Sequence, residues 1–182
     1  MRQFDSDALE RFRKYLRLLA GSQLDSRWAG QIDASDVVQQ TMLNALANAE
    51  QFRGKTECDL LGWLRQILAN HLTDLIRRHR RAKRDVARCQ SLDESIFEAF
   101  RRVEALALSC STPSQNAVRN EQLLRLPEAL ETLTETQREA IVLHHLHGLK
   151  LVETARLMGK SETAVCGLLH RGMKRLHEIL GD

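Results

Sequence analysis

The sequence of 182 residues is poor in the residue types that build strands and tight turns. Aromatic residues make up only 4% of it, and it holds two prolines and nine glycines. Long stretches therefore run without a helix breaker, which favours helices over strands. Apolar residues reach 43%, which is enough to fill helical cores. We predict an all-α protein, and the length allows one domain or two small ones.

Signals for a membrane, for secretion and for metal binding are also lacking. The sequence has no run of about 18 apolar residues that could span a membrane. The charged first segment, MRQFDSDALERF, lacks the apolar core of a signal peptide, so we expect a cytoplasmic protein. The cysteines form no C-x-x-C pair, which predicts free thiols, no metal and no cofactor. They are Cys58, Cys89, Cys110 and Cys166.

The net charge is only +3, but it is distributed unevenly. Residues 61–90 carry eight lysines and arginines against two aspartates, whereas residues 91–150 carry six basic and nine acidic residues. A basic block beside an acidic one predicts binding of a polyanion through a local patch.

Apolar spacing predicts three helices in the N-terminal half. The first ends at Gly21, and the second starts with Asp33 as its N-cap and Asp36 in its first turn. The third helix, LLGWLRQILANHLTDLIRRHRR, carries the clearest apolar stripe. Polar residues predicted to lie off that stripe are Arg65, Asn70, Thr73, Asp74 and Arg77.

The C-terminal half has a weakly periodic segment followed by further helices. We interpret residues 85–113 as a flexible linker that contains a short helix, between domains at 1–84 and 114–182. The next helix should start at Thr112 or Ser114, and Pro127 should kink or restart it. Thr134 and Gln137 have the spacing of a capping box, and Gly148 fits a helix C-cap.

The segment MGKSETAVCGLLHRGMKRL predicts a tight bend before a helix with one apolar and one basic side. Gly159 permits the left-handed backbone of a short turn, and Ser161 can cap the helix that follows. A helical wheel places Val165, Leu168 and Leu169 opposite a polar face. This layout is typical of a helix-turn-helix, whose second helix enters the major groove of DNA.

Taken together, these stretches resemble the sigma-70 family of bacterial RNA polymerase sigma factors, of the extracytoplasmic-function type. DASDVVQQTMLNAL, FRG and WLRQILANHLTDLIRR resemble sigma region 2, and LPEALETLTETQREAIVLHHLHGL with the helix-turn-helix resembles region 4. The resemblance implies two helical domains, no catalytic activity, and core RNA polymerase and promoter DNA as partners. It also suggests an anti-sigma protein, because many members are controlled by one.

The resemblance assigns roles in region 2 residue by residue. The motif that docks on the polymerase corresponds to Asp33, Asp36, Gln39 and Gln40, although the family usually has Glu at position 40. Helix capping is a second role open to both aspartates. The resemblance also implies that a loop from Phe52 to Cys58 forms a pocket for a flipped base of the −10 element. The residues assigned to this element are Phe52, Arg53, Lys55, Trp63, Asn70, Arg77, Arg78, Arg80 and Arg81.

Ordinary structural roles remain open for these region 2 residues. Trp63 could be a core residue, Asn70 a solvated one, and the arginines a solvated charge run.

In region 4 the resemblance assigns contacts with the −35 element to the start and polar face of the last helix. These residues are Ser161, Glu162, Thr163, His170, Arg171 and Lys174. Many members have Lys, Ser and Arg where this chain has Cys166, Gly167 and Leu168, so we expect a weaker grip on this element or a different base preference.

Two other functions are weighed against this one. A stand-alone helix-turn-helix regulator would explain residues 134–180 but not the helix near Asp36. A metal-dependent enzyme built on His144, His145 and His147 is disfavoured, because spacings of one and three residues do not place all three on one helix face.

Overall fold

The computed structural model describes residues 6–24, 32–82, 92–110 and 116–181. The chain divides into two compact units, residues 1–100 (unit 1) and residues 101–182 (unit 2). Every regular element in the described segments is helical, which confirms the predicted all-α fold. Among these helices, none combines the length and the apolar character needed to cross a membrane.

Unit 1 is built around three helices that pack on one another. They are α1 (Ser6–Gly21), α2 (Ala34–Ala47) and α3 (Glu57–Ala82), with a 3-10 turn at Ala49–Gln51. Their core is apolar and closed to solvent, since Phe12, Leu16 and Leu72 are at most 1% exposed. The apolar spacing of α1 and α3 therefore predicted the buried face correctly, with one exception. Thr73 was expected off the stripe but is buried beside Leu72.

Side-chain caps fix where α2 and α3 begin. The Asp33 carboxylate accepts the amide of Ser35 at 2.8 Å, which confirms Asp33 as the N-cap of α2. Before α3, the Thr56 hydroxyl accepts the amide of Asp59 at 3.1 Å, and the Asp59 carboxylate accepts the amide of Thr56 at 3.0 Å. This reciprocal capping starts α3 at Glu57, three residues before the predicted apolar segment.

Helix α4 (Leu92–Ser109) occupies most of the predicted linker and is longer than the short helix expected there. Its apolar face is buried, because Ile96, Phe100 and Val103 are 0% exposed. In unit 1, the guanidinium of Arg65 lies 5.9 Å from the centre of the Phe100 ring, a cation–π distance. The division between the two units falls inside α4. The boundaries at 84 and 113 stay predictions.

The described residues of unit 2 form four further helices, with α8 at their centre. They are α5 (Asn116–Glu131), α6 (Glu135–Ile141), α7 (Leu151–Met158) and α8 (Glu162–Leu180), and a π-helical turn at Val142–Leu146 follows α6. Helix α8 packs against α5, α6 and α7. The capping box of Thr134 and Gln137 is confirmed. Gly148 has a φ of 71°, the left-handed backbone that a glycine after a helix supplies.

Two expectations for α5 have different outcomes. The helix continues through Pro127, so the predicted restart at this residue is wrong. Proline removes one backbone hydrogen bond, but Leu126 and Ala129 on either side of it are buried and hold the helix in the core. The predicted starts at Thr112 and Ser114 lie outside the described residues.

Gly172 of α8 lies against Ile141 of α6, and its replacement by alanine should destabilise unit 2. A β-carbon at this position would lie 2.7 Å from Cδ1 of Ile141. Overpacking typically costs about 1–3 kcal/mol, whereas alanine gains about 1 kcal/mol over glycine in a helix. We expect Gly172→Ala to lower the free energy of opening of α6 and α8 by about 1 kcal/mol, measured by amide hydrogen exchange.

Gly167→Ala is the matched control in the same helix. A β-carbon there would meet only the mobile end of the Arg171 side chain, at 3.2 Å. This variant should therefore raise the stability of α8 by up to about 1 kcal/mol. Equal effects of the two substitutions would contradict close packing at Gly172.

Candidate nucleic-acid and polymerase interfaces

The exposed face of α2 carries the residues assigned to polymerase docking. Asp36, Gln39 and Gln40 are exposed, while their neighbours Val37 and Val38 are buried against the rest of unit 1. Asp33 is also exposed, and its carboxylate serves as the N-cap. Capping thus accounts for Asp33, whereas the side chains of the other three have no role in the core.

The same face exposes two leucines that the sequence reasoning missed. Leu43 is 51% exposed and Leu46 is 72% exposed, although large apolar side chains in a helix normally face the core. Leu43 lies seven residues after Asp36, which is two helical turns along the same face. Asp36, Gln39, Gln40, Leu43 and Leu46 therefore form one mixed surface, which we name the α2 surface. Such a combination of acidic, amide and apolar groups suits a protein partner.

A second candidate site is an open pocket formed by residues 52–59 and the start of α3, here named the loop pocket. Its volume is about 840 Å³, within the range of small-ligand sites. Phe52 and Trp63 meet in it with ring centres 5.2 Å apart. Both rings are partly exposed, and aromatic faces of this kind stack on unpaired bases. The predicted residues Arg53 and Lys55 are exposed on its rim.

Gly54 and Asp59 hold the loop pocket in shape. A β-carbon at Gly54 would overlap the Phe52 ring and Cβ of Asp59, so the close turn requires glycine. The backbone amides of Lys55 and Thr56 donate to the Asp59 carboxylate at 2.9 and 3.0 Å. The bond from Lys55 has the largest effect on the Asp59 carboxyl, and together these bonds lower its pKa below the ordinary value.

The lowered pKa predicts how the loop responds to pH. A carboxylate that is bonded in the folded state stabilises it above the ordinary pKa, and this contribution is lost as the pH falls through the lowered pKa. At neutral pH, Asp59→Ala should reduce the exchange protection of the Lys55 and Thr56 amides by about five- to tenfold. The wild-type protection should fall to the level of the variant in acid.

Glu57→Ala removes the same charge from the same helical turn and serves as the control. Glu57 is exposed and accepts neither of these two amides. The protection of the two amides should be unchanged in this variant. If Glu57→Ala lost as much amide protection as Asp59→Ala, the effect would come from general helix-dipole electrostatics and not from the Asp59 hydrogen bonds.

A groove of about 750 Å³ lies between α2 and α3, and Trp63 lines both this groove and the loop pocket. Amide side chains line both of its walls, so we name it the amide groove. The residues contributed by α2 and its following turn are Gln40, Asn44, Asn48 and Gln51, and those from α3 include Gln66, Asn70, Asp74 and Arg78. Asn70 and Arg78 are exposed, and Arg77 is half-buried. Arg80 and Arg81 lie in α3, but their side chains are outside the described part of the chain.

In unit 2 the predicted bend is confirmed. Gly159 ends α7 with φ 62° and ψ 33°, and the Ser161 hydroxyl accepts the amide of Ala164 at 3.2 Å to begin α8. Ala140, Ala155 and Val165 form the small core that fixes α6, α7 and α8 together. The small side chain of Ala155 allows α7 to cross α8 closely. The result is a helix-turn-helix whose second helix is α8.

The predicted −35 residues all lie on the solvent face of α8. Ser161, Glu162, Thr163, His170, Arg171 and Lys174 are exposed, whereas Val165 and Leu176 are buried. Cys166 is exposed among them, and the Arg171 guanidinium lies against Gly167, where no side chain intervenes. This surface, here named the α8 surface, presents Ser161, Glu162 and Thr163 at the start of α8 and two cations, Arg171 and Lys174, further along the helix.

One polar residue inside the helix-turn-helix is buried with its hydrogen bond satisfied. Thr154 is buried in α7, where its hydroxyl donates to the carbonyl of Lys150 at 3.1 Å and so satisfies its polar group. The Lys150 backbone amide in turn donates to the Glu153 carboxylate at 2.9 Å.

Two of the three histidines near the π-helical turn, His144 and His145, make contacts within the fold. Nδ1 of His144 lies 2.8 Å from the carbonyl oxygen of Leu149, and the His144 ring meets that of His145 edge to face. Burial is the main cause that lowers the pKa of His145, and the neighbouring His144 lowers it further. Within the described residues, no group of three His, Cys, Asp or Glu side chains could hold a metal ion.

Comparisons with known proteins match both units. The family model for sigma-70 region 2 covers residues 9–82, and the model for sigma-70 region 4 covers residues 123–176. Together the two matches span more than half of the chain. The first includes the α2 surface and both pockets, and the second includes the helix-turn-helix.

Individual relatives carry the same family name. The ECF RNA polymerase sigma factor BldN of Streptomyces coelicolor is 28% identical over 156 residues, or 86% of this chain and 54% of its own. SigD of Mycobacterium tuberculosis is 29% identical over 147 residues, with 81% and 63% covered. CarQ of Myxococcus xanthus is 28% identical over 150 residues, with 82% and 75% covered. The chain spans only about half the length of some relatives. With both regions matched in order, it belongs to the sigma-70 family, in the extracytoplasmic-function group.

Proposed function

We propose that this chain binds core RNA polymerase and directs it to promoters. The observation that carries the proposal is that the chain matches both regions of one family. Each matching unit exposes a surface whose chemistry suits the task proposed for it. The α2 surface would dock on the polymerase, the loop pocket and amide groove would hold unpaired bases of the −10 element, and the α8 surface would grip the −35 element. The chain would catalyse no reaction of its own.

The chemistry of each surface supports this division of labour. Acidic and amide groups on the α2 surface complement a basic partner surface, and the two leucines add apolar contact. Extruding a base from a duplex costs a few kcal/mol, which stacking on Phe52 and Trp63 could offset. Arg171 and Lys174 suit phosphates, which fix a protein on the duplex without reading its sequence.

The test is transcription by purified core polymerase with and without the full chain, followed by mapping of start sites. We expect the chain to create new, discrete start sites on genomic DNA of its source. A chain that binds promoter DNA but neither joins the polymerase nor alters its start sites would instead be a stand-alone helix-turn-helix regulator.

Asn70→Ala should separate promoter opening from polymerase binding. Asn70 is exposed on the α3 wall of the amide groove, which shares only Gln40 with the α2 surface. We therefore expect the loss of Asn70 to remove a contact to a base and not one to the polymerase. We expect opening, followed by permanganate reactivity of unpaired thymines, to fall about tenfold, with core binding unchanged. Lost core binding with normal opening in the complexes that do form would refute this role for Asn70.

A further inference from the structure

The α3 wall of the amide groove has a direction in its hydrogen bonding. Gln66, Asn70 and Asp74 recur every four residues and line the same groove. The Gln66 side-chain nitrogen donates to Oδ1 of Asn70 at 3.0 Å. Asp74, one turn further on, adds carboxylate oxygens, which accept hydrogen bonds, to the same wall.

We propose that Gln66 is a positioning residue that sets which hydrogen-bonding group Asn70 offers to a base. The oxygen and the nitrogen of a primary amide point in different directions, and the oxygen of Asn70 is engaged by Gln66. Asn70 therefore presents its NH₂ group and donates. A donor at this point favours bases with a keto oxygen, thymine or guanine, over bases with an amino group there, adenine or cytosine. This inference rests on the proposed function.

The opposite wall supports a base, rather than a phosphate, as the occupant of the groove. The side-chain nitrogen of Gln40 donates to Oδ1 of Asn44 at 3.2 Å, and that of Gln51 donates to Oδ1 of Asn48 at 2.9 Å. This wall is therefore uncharged and internally ordered. Trp63 and Ile67 add apolar surface between the two walls. Uncharged amides read base edges, whereas phosphates are usually held by cations.

Gln66→Glu tests the proposal because it keeps the shape of the side chain and reverses its hydrogen bonding. A carboxylate only accepts, so Asn70 would turn its nitrogen towards position 66 and its oxygen to the groove. The readout is the base preference of polymerase loaded with each variant, measured by transcription from a promoter library randomised across the −10 element. At the position of the −10 element that Asn70 contacts, the ratio of promoters with a keto base to those with an amino base should fall by about fivefold or more.

Gln66→Leu is the control, since it removes the bond to Asn70 without reversing it. It should bring the ratio at that position closer to one. Comparing ratios within each variant cancels any overall weakening by the added negative charge. If Gln66→Glu leaves the preference at every position unchanged while the wild type initiates normally, the inference fails and the proposed function stands. If the wild type does not redirect the polymerase, the proposed function fails before the library is used.

Discussion

Replacing both Leu43 and Leu46 by alanine should weaken binding of the chain to core RNA polymerase by about 30-fold. Full burial of a leucine contributes about 1.5–3 kcal/mol, and truncation to alanine forfeits only part of that at each position. A combined loss of about 2 kcal/mol corresponds to this factor. The affinity can be measured by fluorescence anisotropy of labelled chain titrated with the core enzyme.

The substitutions are suited to the question because the two side chains are more than half exposed in the free protein. Alanine is also the better helix former, so α2 should remain folded. Val152→Ala is the control, because Val152 is an apolar residue of unit 2 that is 54% exposed. An equal loss of affinity in Val152→Ala, or no loss in the double variant, would show that the α2 surface is not the docking site.

A further variant tests the polar part of the same surface. Helix capping explains Asp33, whose carboxylate accepts the Ser35 amide, so a loss of binding in an Asp33 variant would be ambiguous. Asp36 sits in the first turn, with no part in the cap that begins α2. The two acidic residues lie only three positions apart in the sequence, but of the two only Asp36 can report on docking without disturbing that cap.

The sequence was sufficient for features that depend on local spacing. Period-3.6 apolar residues predicted the buried faces of α1 and α3, and Gly159 with Ser161 predicted the bend before α8. Each of these depends on the residues within a few turns of one helix. The family resemblance, confirmed by the matches to regions 2 and 4, then supplied roles for the exposed residues, and these roles stay predictions.

Features that depend on another part of the chain could not be predicted in this way. The close approach at Gly172 is set by Ile141 on a different helix, and the pattern of α8 alone shows only a glycine. The burial of α4 likewise requires its partners, because its charged residues and weak flanking periodicity suggested a linker. The exposure of Leu43 had a local signal, its spacing of seven from Asp36, but an apolar residue in a helix is ordinarily assigned to the core.

Separating the two proposed DNA-binding surfaces in one chain would have an energetic consequence. The α8 surface exposes two cations, Arg171 and Lys174, so this surface alone should bind DNA modestly. When the units are joined, engagement of one raises the effective concentration of the other, and the affinity of the whole can exceed that of either. Weakening of the α8 surface should therefore change how strongly and where the chain binds, without removing the function of unit 1.

Replacing both Arg171 and Lys174 by alanine should reduce binding of the chain to upstream promoter duplex by at least about tenfold and flatten its salt dependence. Both side chains are exposed on the α8 surface. Each cation that neutralises a phosphate releases condensed counterions, so the slope of log K against log salt should become shallower by about 2. Filter binding or anisotropy at several salt concentrations gives both quantities.

The double variant Arg13→Ala with Arg17→Ala provides a control of equal charge. Both arginines are exposed on α1 in unit 1, so the net charge falls by the same amount at a site remote from the α8 surface in sequence. Its slope should match that of the wild type, because only phosphate-contacting cations release counterions on binding. Equal flattening in both double variants would mean that the chain binds DNA through its overall charge, and that Arg171 and Lys174 have no special place in the interface.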